Sequence, residues 1–111
     1  LFAGCSDIQT PSELDNTYCV YHQYTVKIPN RDNIHKMLQE SGIGAMLYYP
    51  VPLHLQKVHA YLGFSKGMLP ITEKNTELVI SLPMFPELTL EEQKTVASTL
   101  IDCLEKSKAL T

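Results

Sequence analysis

Met46-Leu-Tyr-Tyr-Pro-Val-Pro-Leu-His-Leu-Gln56 is the stretch around which the rest of the chain is arranged. It opens as an apolar, aromatic strand candidate and is stopped by two prolines one residue apart, Pro50 and Pro52. Proline lacks a backbone donor and biases its predecessor towards extended geometry, so the chain must leave any sheet here as a stiff loop. The loop carries Tyr48, Tyr49, His54 and Gln56, mostly flat side chains with polar tips. Two readings stand side by side. The loop is a wall of a binding site, or it is a buried connection whose aromatics belong to the core.

Outward from this loop the periodicities alternate between two and 3.6. Residues 43–49 lead into it as an expected strand. Before them, Ile34, Met37 and Leu38 recur at helical spacing, with Asn30 at the N-cap position, Asp32 in the first turn and Gly42 at the C-terminal end, so residues 31–41 are expected to be a helix. Residues 19–28 are the clearest strand. Val20, Tyr24, Val26 and Ile28 share one face, and Tyr21, Gln23, Thr25 and Lys27 the other. Residues 1–18 scatter Gly, Pro, Ser, Asp and Asn with no period and form a lead-in.

On the C-terminal side, Leu55, Val58 and Leu62 predict a short helix over 54–62, ended by Gly63. Pro70 suits the first turn of another helix, with Ile71, Leu78 and Val79 inward and Glu73, Lys74 and Glu77 outward. Residues 79–82 are expected to be a short third strand before Pro83, and residues 84–86 a second Pro-bounded turn. Thr89-Leu-Glu-Glu92 is a capping box. The stripe Leu90, Val96, Ala97, Leu100, Ile101 and Leu104 then predicts a long helix over 90–107. The fold class is α+β: a small sheet of about three strands covered on one face by helices. The residues do not fix strand direction.

The chain has 111 residues, 44% hydrophobic and 19% charged, as for one globular domain over 19–111 behind the lead-in. A net charge of −3 without a basic cluster disfavours nucleic acid. No apolar run is long enough to cross a bilayer, and no leader peptide is evident. The three cysteines, Cys5, Cys19 and Cys103, lack disulfide or zinc spacing, so reduced cytoplasmic thiols are expected. The chain opens on Leu1 rather than Met and is expected to be a piece of a longer protein.

No complete catalytic set emerges. Among the four histidines, His54 and His59 are poorly spaced for one helix face and His35 should face solvent, so no metal site is expected. His54, just after Pro52-Leu53, is the histidine kept as a site candidate. Glu91 and Glu92 are explained by capping. Gly42-Ile-Gly44 lacks the rest of a dinucleotide fingerprint.

Three blocks, in order and spacing, carry a resemblance. They are Tyr21-His-Gln-Tyr-Thr-Val with Arg31-Asp32; Gly42-Ile-Gly with Tyr49-Pro-Val-Pro-Leu-His-Leu-Gln56; and Ser81-Leu-Pro-Met-Phe-Pro-Glu-Leu-Thr89 with its helix. From about Tyr18 to Lys106 the chain resembles the C-terminal small domain of DegT/DnrJ/StrS-type sugar aminotransferases. The resemblance implies a mainly antiparallel sheet and a fold-type I enzyme using pyridoxal 5′-phosphate. It implies transfer of an amino group, usually from glutamate, to a nucleotide-linked keto-sugar, in a homodimer whose products feed surface polysaccharides, glycoproteins or antibiotic sugars.

In that family the cofactor lysine lies in a large domain N-terminal to the matched region, so no catalytic or cofactor-binding residue is expected here and this chain alone should not transaminate. The resemblance makes Tyr48, Tyr49, His54 and Gln56 substrate-binding candidates. It also shows a departure, because the family often has His where Tyr48 stands. The other readings are a free-standing binding or dimerisation module derived from such a domain, and a small self-contained enzyme using His54 and a tyrosine.

Overall fold

Val26 and Ile80 face each other across the sheet, and neither exposes any surface. In the computed structural model, which describes residues 1–109, they belong to strands β1 (Tyr24–Lys27) and β2 (Val79–Leu82). The strands pair antiparallel, Tyr24 opposite Leu82 and Lys27 opposite Val79. Thr25 and Ser81 also pair, and their hydroxyls lie 2.8 Å apart. Single bridges extend the sheet at both edges, Gln9 to Lys27 and Met46 to Ser81. The last two residues of the expected 19–111 domain, 110 and 111, lie outside the described residues.

The helices are α1 (Arg31–Glu40), α2 (Pro70–Leu78) and α3 (Leu90–Ala109). Helices α1 and α3 pack together, and Ile34, Leu38, Leu100, Cys103 and Leu104 join Val26, Ile28 and Ile80 in one core. Fully burying an aliphatic chain of this size is worth roughly 1.5–3 kcal/mol, so this cluster dominates the stability. Ile8 also enters it from the lead-in.

The ends of the helices follow local chemistry. At α1 the Ile43 amide donates to the Leu38 carbonyl and the Gly42 amide to the Gln39 carbonyl, with Gly42 at φ 77. That is a Schellman closure, which needs a residue tolerant of positive φ. At α3 the capping box forms: the Thr89 amide donates to Glu92 at 2.8 Å, and the Glu92 amide to the Thr89 hydroxyl at 3.3 Å. Asn30 stands at the N-cap of α1 but makes no side-chain cap. It is left-handed, and its side chain donates to the Ser107 hydroxyl at 2.7 Å, tying α1 to α3.

Several expected elements shrink. The 19–28 strand begins only at Tyr24, because Tyr21 sits at φ 46 and the Cys19 amide bonds to Glu13 instead of a strand. Val20 is consequently exposed. The 43–49 strand reduces to the Met46 bridge, since the Ala45 amide closes a tight turn on Ile43 and the prolines follow. The 54–62 helix is two 3₁₀ segments, Leu53–Leu55 and Lys57–Leu62. Ile71 points outward and Glu73 is drawn inward, the reverse of expectation, and Leu90 stands exposed at the start of its stripe. His35, expected in solvent, is half-buried and its Nε2 donates to the Ala45 carbonyl at 2.9 Å.

Candidate functional site

The Met46 bridge is the last point at which the sheet holds the chain before the 48–56 loop. The Tyr48–Tyr49 peptide is cis, and the two rings stand edge to face with centroids 6.0 Å apart. Tyr49 is 60% exposed and Tyr48 40%. Tyr48 sits on the divide between two clefts. One, of about 410 Å³, runs over the sheet edge past His22, Gln23, Ser81 and Phe85. The other, of about 320 Å³, runs between the loop and Thr72, Asn75 and Thr76 of α2, with Tyr49 also on its wall. Both are within the size range of small-ligand sites.

His54 does not open onto either cleft. Its side chain is 6% exposed and its Nε2 lies 3.0 Å from the Glu73 carboxylate. A carboxylate only accepts at neutral pH, so Nε2 carries the proton. Phe64 stands edge-on to the imidazole at 6.0 Å. The same carboxylate accepts the Gly67 amide at 2.9 Å and the Leu69 amide at 3.3 Å. The Gly67 amide, then His54, hold the Glu73 carboxyl below the usual carboxylate range. Gln56 is half-buried, with its amide 3.5 Å from the Val51 carbonyl, a long contact across the loop. The structure thus puts both tyrosines at clefts, folds Gln56 back on the loop and turns His54 inward.

Two residues with structural roles escaped the reading of the sequence. Glu73 looked like a surface acid of α2, although a carboxylate in the first turn after Pro70 was a signal for capping. Arg31 is 5% exposed and donates from Nη1 to the Val79 carbonyl at 2.8 Å and from Nε to Asp32 at 2.6 Å. Its pattern gave no sign that it was buried.

Among the described residues no group of three or more His, Cys, Asp or Glu is placed to hold a metal. No lysine lines either cleft, or another beside Phe2 and Gln93. Pyridoxal phosphate needs a lysine for its covalent bond and donors for its phosphate, and these clefts do not fit it.

A small antiparallel sheet, two packed helices and a Pro-stiffened aromatic loop define a small α+β unit. The chain belongs to the DegT/DnrJ/EryC1/StrS aminotransferase family, whose family model matches residues 1–101. It is 48% identical over 95 residues to a pleiotropic regulatory protein of Geobacillus stearothermophilus, covering 86% of this chain and 26% of that protein. It is 36% identical over 94 residues to the UDP-N-acetyl-3-dehydro-alpha-D-glucosamine 3-aminotransferase of Acidithiobacillus ferrooxidans, covering 85% and 25%.

Among solved structures it superimposes on DesV of Streptomyces venezuelae with a TM-score of 0.87 and 32% identity, covering 94% of this chain and 28% of that one. NtdA of Bacillus subtilis, solved with bound cofactor PMP, gives a TM-score of 0.74 and 31% identity, covering 90% and 23%. The chain therefore spans about a quarter of the length of the relatives it matches. No helix among the described residues is long and apolar enough to cross a membrane.

Proposed function

We propose that this chain is the C-terminal part of a pyridoxal-phosphate-dependent aminotransferase acting on a nucleotide-linked keto-sugar. It closes one side of the active site. On this reading glutamate supplies the amino group, two copies assemble as a homodimer in the cytoplasm, and the amino-sugar enters polysaccharide or related glycan synthesis. Pyridoxal phosphate is held by a large domain outside this chain, as the resemblance to the family implies.

The observation that carries the reading is the 48–56 loop. It presents Tyr48 and Tyr49 at two clefts while its prolines keep it stiff. Flat phenol side chains suit stacking on a sugar or base and bonding to its hydroxyls, at low entropic cost. Gln56 adds a polar group at the end of the loop. His54 serves the site by holding the loop rather than by touching substrate. Family membership and the named amino-sugar enzyme among the relatives support the substrate class.

The native gene product decides the matter. An antibody against this domain is expected to detect a protein several times heavier than 12.5 kDa. That protein, purified, should aminate a nucleotide-linked keto-sugar at the expense of glutamate, and Tyr49→Ala should raise the KM for the sugar. A native product of 12.5 kDa would overturn the assignment in favour of a free-standing module.

A further inference from the structure

We infer that Glu73 is a positioning residue for the substrate-facing loop, acting through His54 to set where Tyr49 stands. The inference rests on the proposed contact between this loop and the sugar. Its own ground is the way the loop is anchored.

Between Tyr49 and His54 the backbone has little freedom. Pro50 and Pro52 fix their own φ, and Tyr49 and Val51, each preceding a proline, are confined to extended geometry. The segment behaves as a short rigid arm. One end carries Tyr49, 60% exposed at the cleft against α2. The other end is held by the His54 ring on Glu73, with both side chains largely out of water, at 6% and 12% exposed. A shift at His54 is therefore transmitted to Tyr49 rather than absorbed between them.

Glu73 in turn is fixed from two further directions. The Gly67 amide reaches both carboxylate oxygens at 2.9 Å, and the Leu69 amide reaches one at 3.3 Å. Gly67 offers its amide from φ 93, a conformation that favours glycine. One carboxylate thereby joins the loop, the turn before α2 and α2 itself. Helix α2 also forms the floor of the cleft that Tyr49 walls. A carboxylate that only capped its helix would need the Leu69 contact alone. The shorter contacts here go to Gly67 and His54, both outside α2.

The test uses the full-length gene product with Glu73→Ala, Glu73→Gln, His54→Ala, His54→Gln and Tyr49→Ala. Three readouts separate positioning from general damage: the KM for the nucleotide-sugar, the rate of the glutamate half-reaction measured without sugar, and amide exchange in residues 49–56. Glu73→Ala and His54→Ala are expected to raise the sugar KM roughly tenfold or more, in keeping with the cost of a small misplacement. They should also speed exchange in the loop and leave the glutamate half-reaction within about twofold. His54→Gln keeps an N–H donor at similar reach and should recover much of the loss. Glu73→Gln keeps one acceptor but turns an amide donor towards a backbone N–H, and should fall between wild type and Glu73→Ala.

Equal losses in both half-reactions would mark general destabilisation and overturn the inference. A raised sugar KM in Tyr49→Ala with none in Glu73→Ala would overturn positioning while leaving the substrate contact intact. If neither variant moves the sugar KM, the contact reading itself falls, and the positioning role with it.

Discussion

At the scale of single residues, the chain uses the buried Arg31 and the partly buried Glu73 as clamps, and they differ in how they are satisfied. Arg31 sits at the start of α1 with its guanidinium against the Val79 carbonyl, so the first turn of the helix is fastened to the first residue of β2. Hydrogen bonds from a charged donor contribute roughly 1.5–3 kcal/mol each when their loss strands a buried partner. Arg31→Ala is therefore expected to lower stability by about that amount, measured by denaturant unfolding; a loss below about 0.5 kcal/mol would show that the contact is replaced by water.

Glu73 is held by amides and an imidazole, and its carboxyl is accordingly depressed by Gly67 first and His54 second. A carboxyl lowered on folding stabilises the native state above its unfolded value, near 4.3 for glutamate. That contribution fades as pH falls through the lower folded value. Melting temperature should fall as pH drops below about 4, and Glu73→Gln should flatten that part of the profile. An unchanged slope in Glu73→Gln would assign the acid sensitivity elsewhere, Glu92 being the next carboxylate held low.

At the scale of elements, what was legible in the sequence was what local chemistry decides. Helix α3 and its Thr89 cap, the Gly42 closure of α1, the Pro70 start of α2 and strand β2 all lie where composition put them, because each depends on neighbours within a few residues. The failures share one cause. Alternation over 19–28 says which residues can share a face, but not that Tyr21 takes positive φ and takes Val20 off the sheet. Helical period placed His35 and Glu73 outside, but period does not show which loop lies over a face. Here the 43–45 turn lies over His35, and the 48–56 loop comes down onto Glu73.

That Tyr48 and Tyr49 stand on a stiff, exposed loop follows from the Pro-x-Pro context. The inward turn of His54 was not, since its partner is nineteen positions away. The capping box gives a test at this scale. Thr89→Ala removes the acceptor for the Glu92 amide and should cost about 1 kcal/mol, with reduced helical signal near the start of α3. A loss of less than a few tenths of a kcal/mol would mean that water caps the helix equally well.

At the scale of the whole molecule, the chain is a slab rather than a ball. Its extents are 47 × 42 × 24 Å and its radius of gyration is 15.7 Å, against about 13 Å for a compact chain of this length. The chain also exposes many large apolar side chains. Over residues 46–71 the chain exposes Tyr49, Leu53, Val58, Tyr61, Met68 and Ile71, none of which belongs to the core that α1 and α3 make with the sheet. Isolated exposed apolar residues are ordinary, but a contiguous segment of them marks a surface that meets another part of a protein. On the proposed reading, the cover is the part of the full-length protein that corresponds to the rest of the relatives, of which this chain matches about a quarter.

Hydroxyl-radical footprinting can compare the 111-residue chain with the full-length gene product. Tyr61, Val58 and Met68 are expected to label several-fold more slowly in the longer protein, while Leu14 and Val20, exposed on the lead-in side, serve as the contrast. Protection confined to 46–71 would place the covering surface against the 48–56 loop. Equal labelling of 46–71 in both proteins would mean that this face stays open in the native enzyme, and the proposal that the domain closes an active site would lose its physical basis.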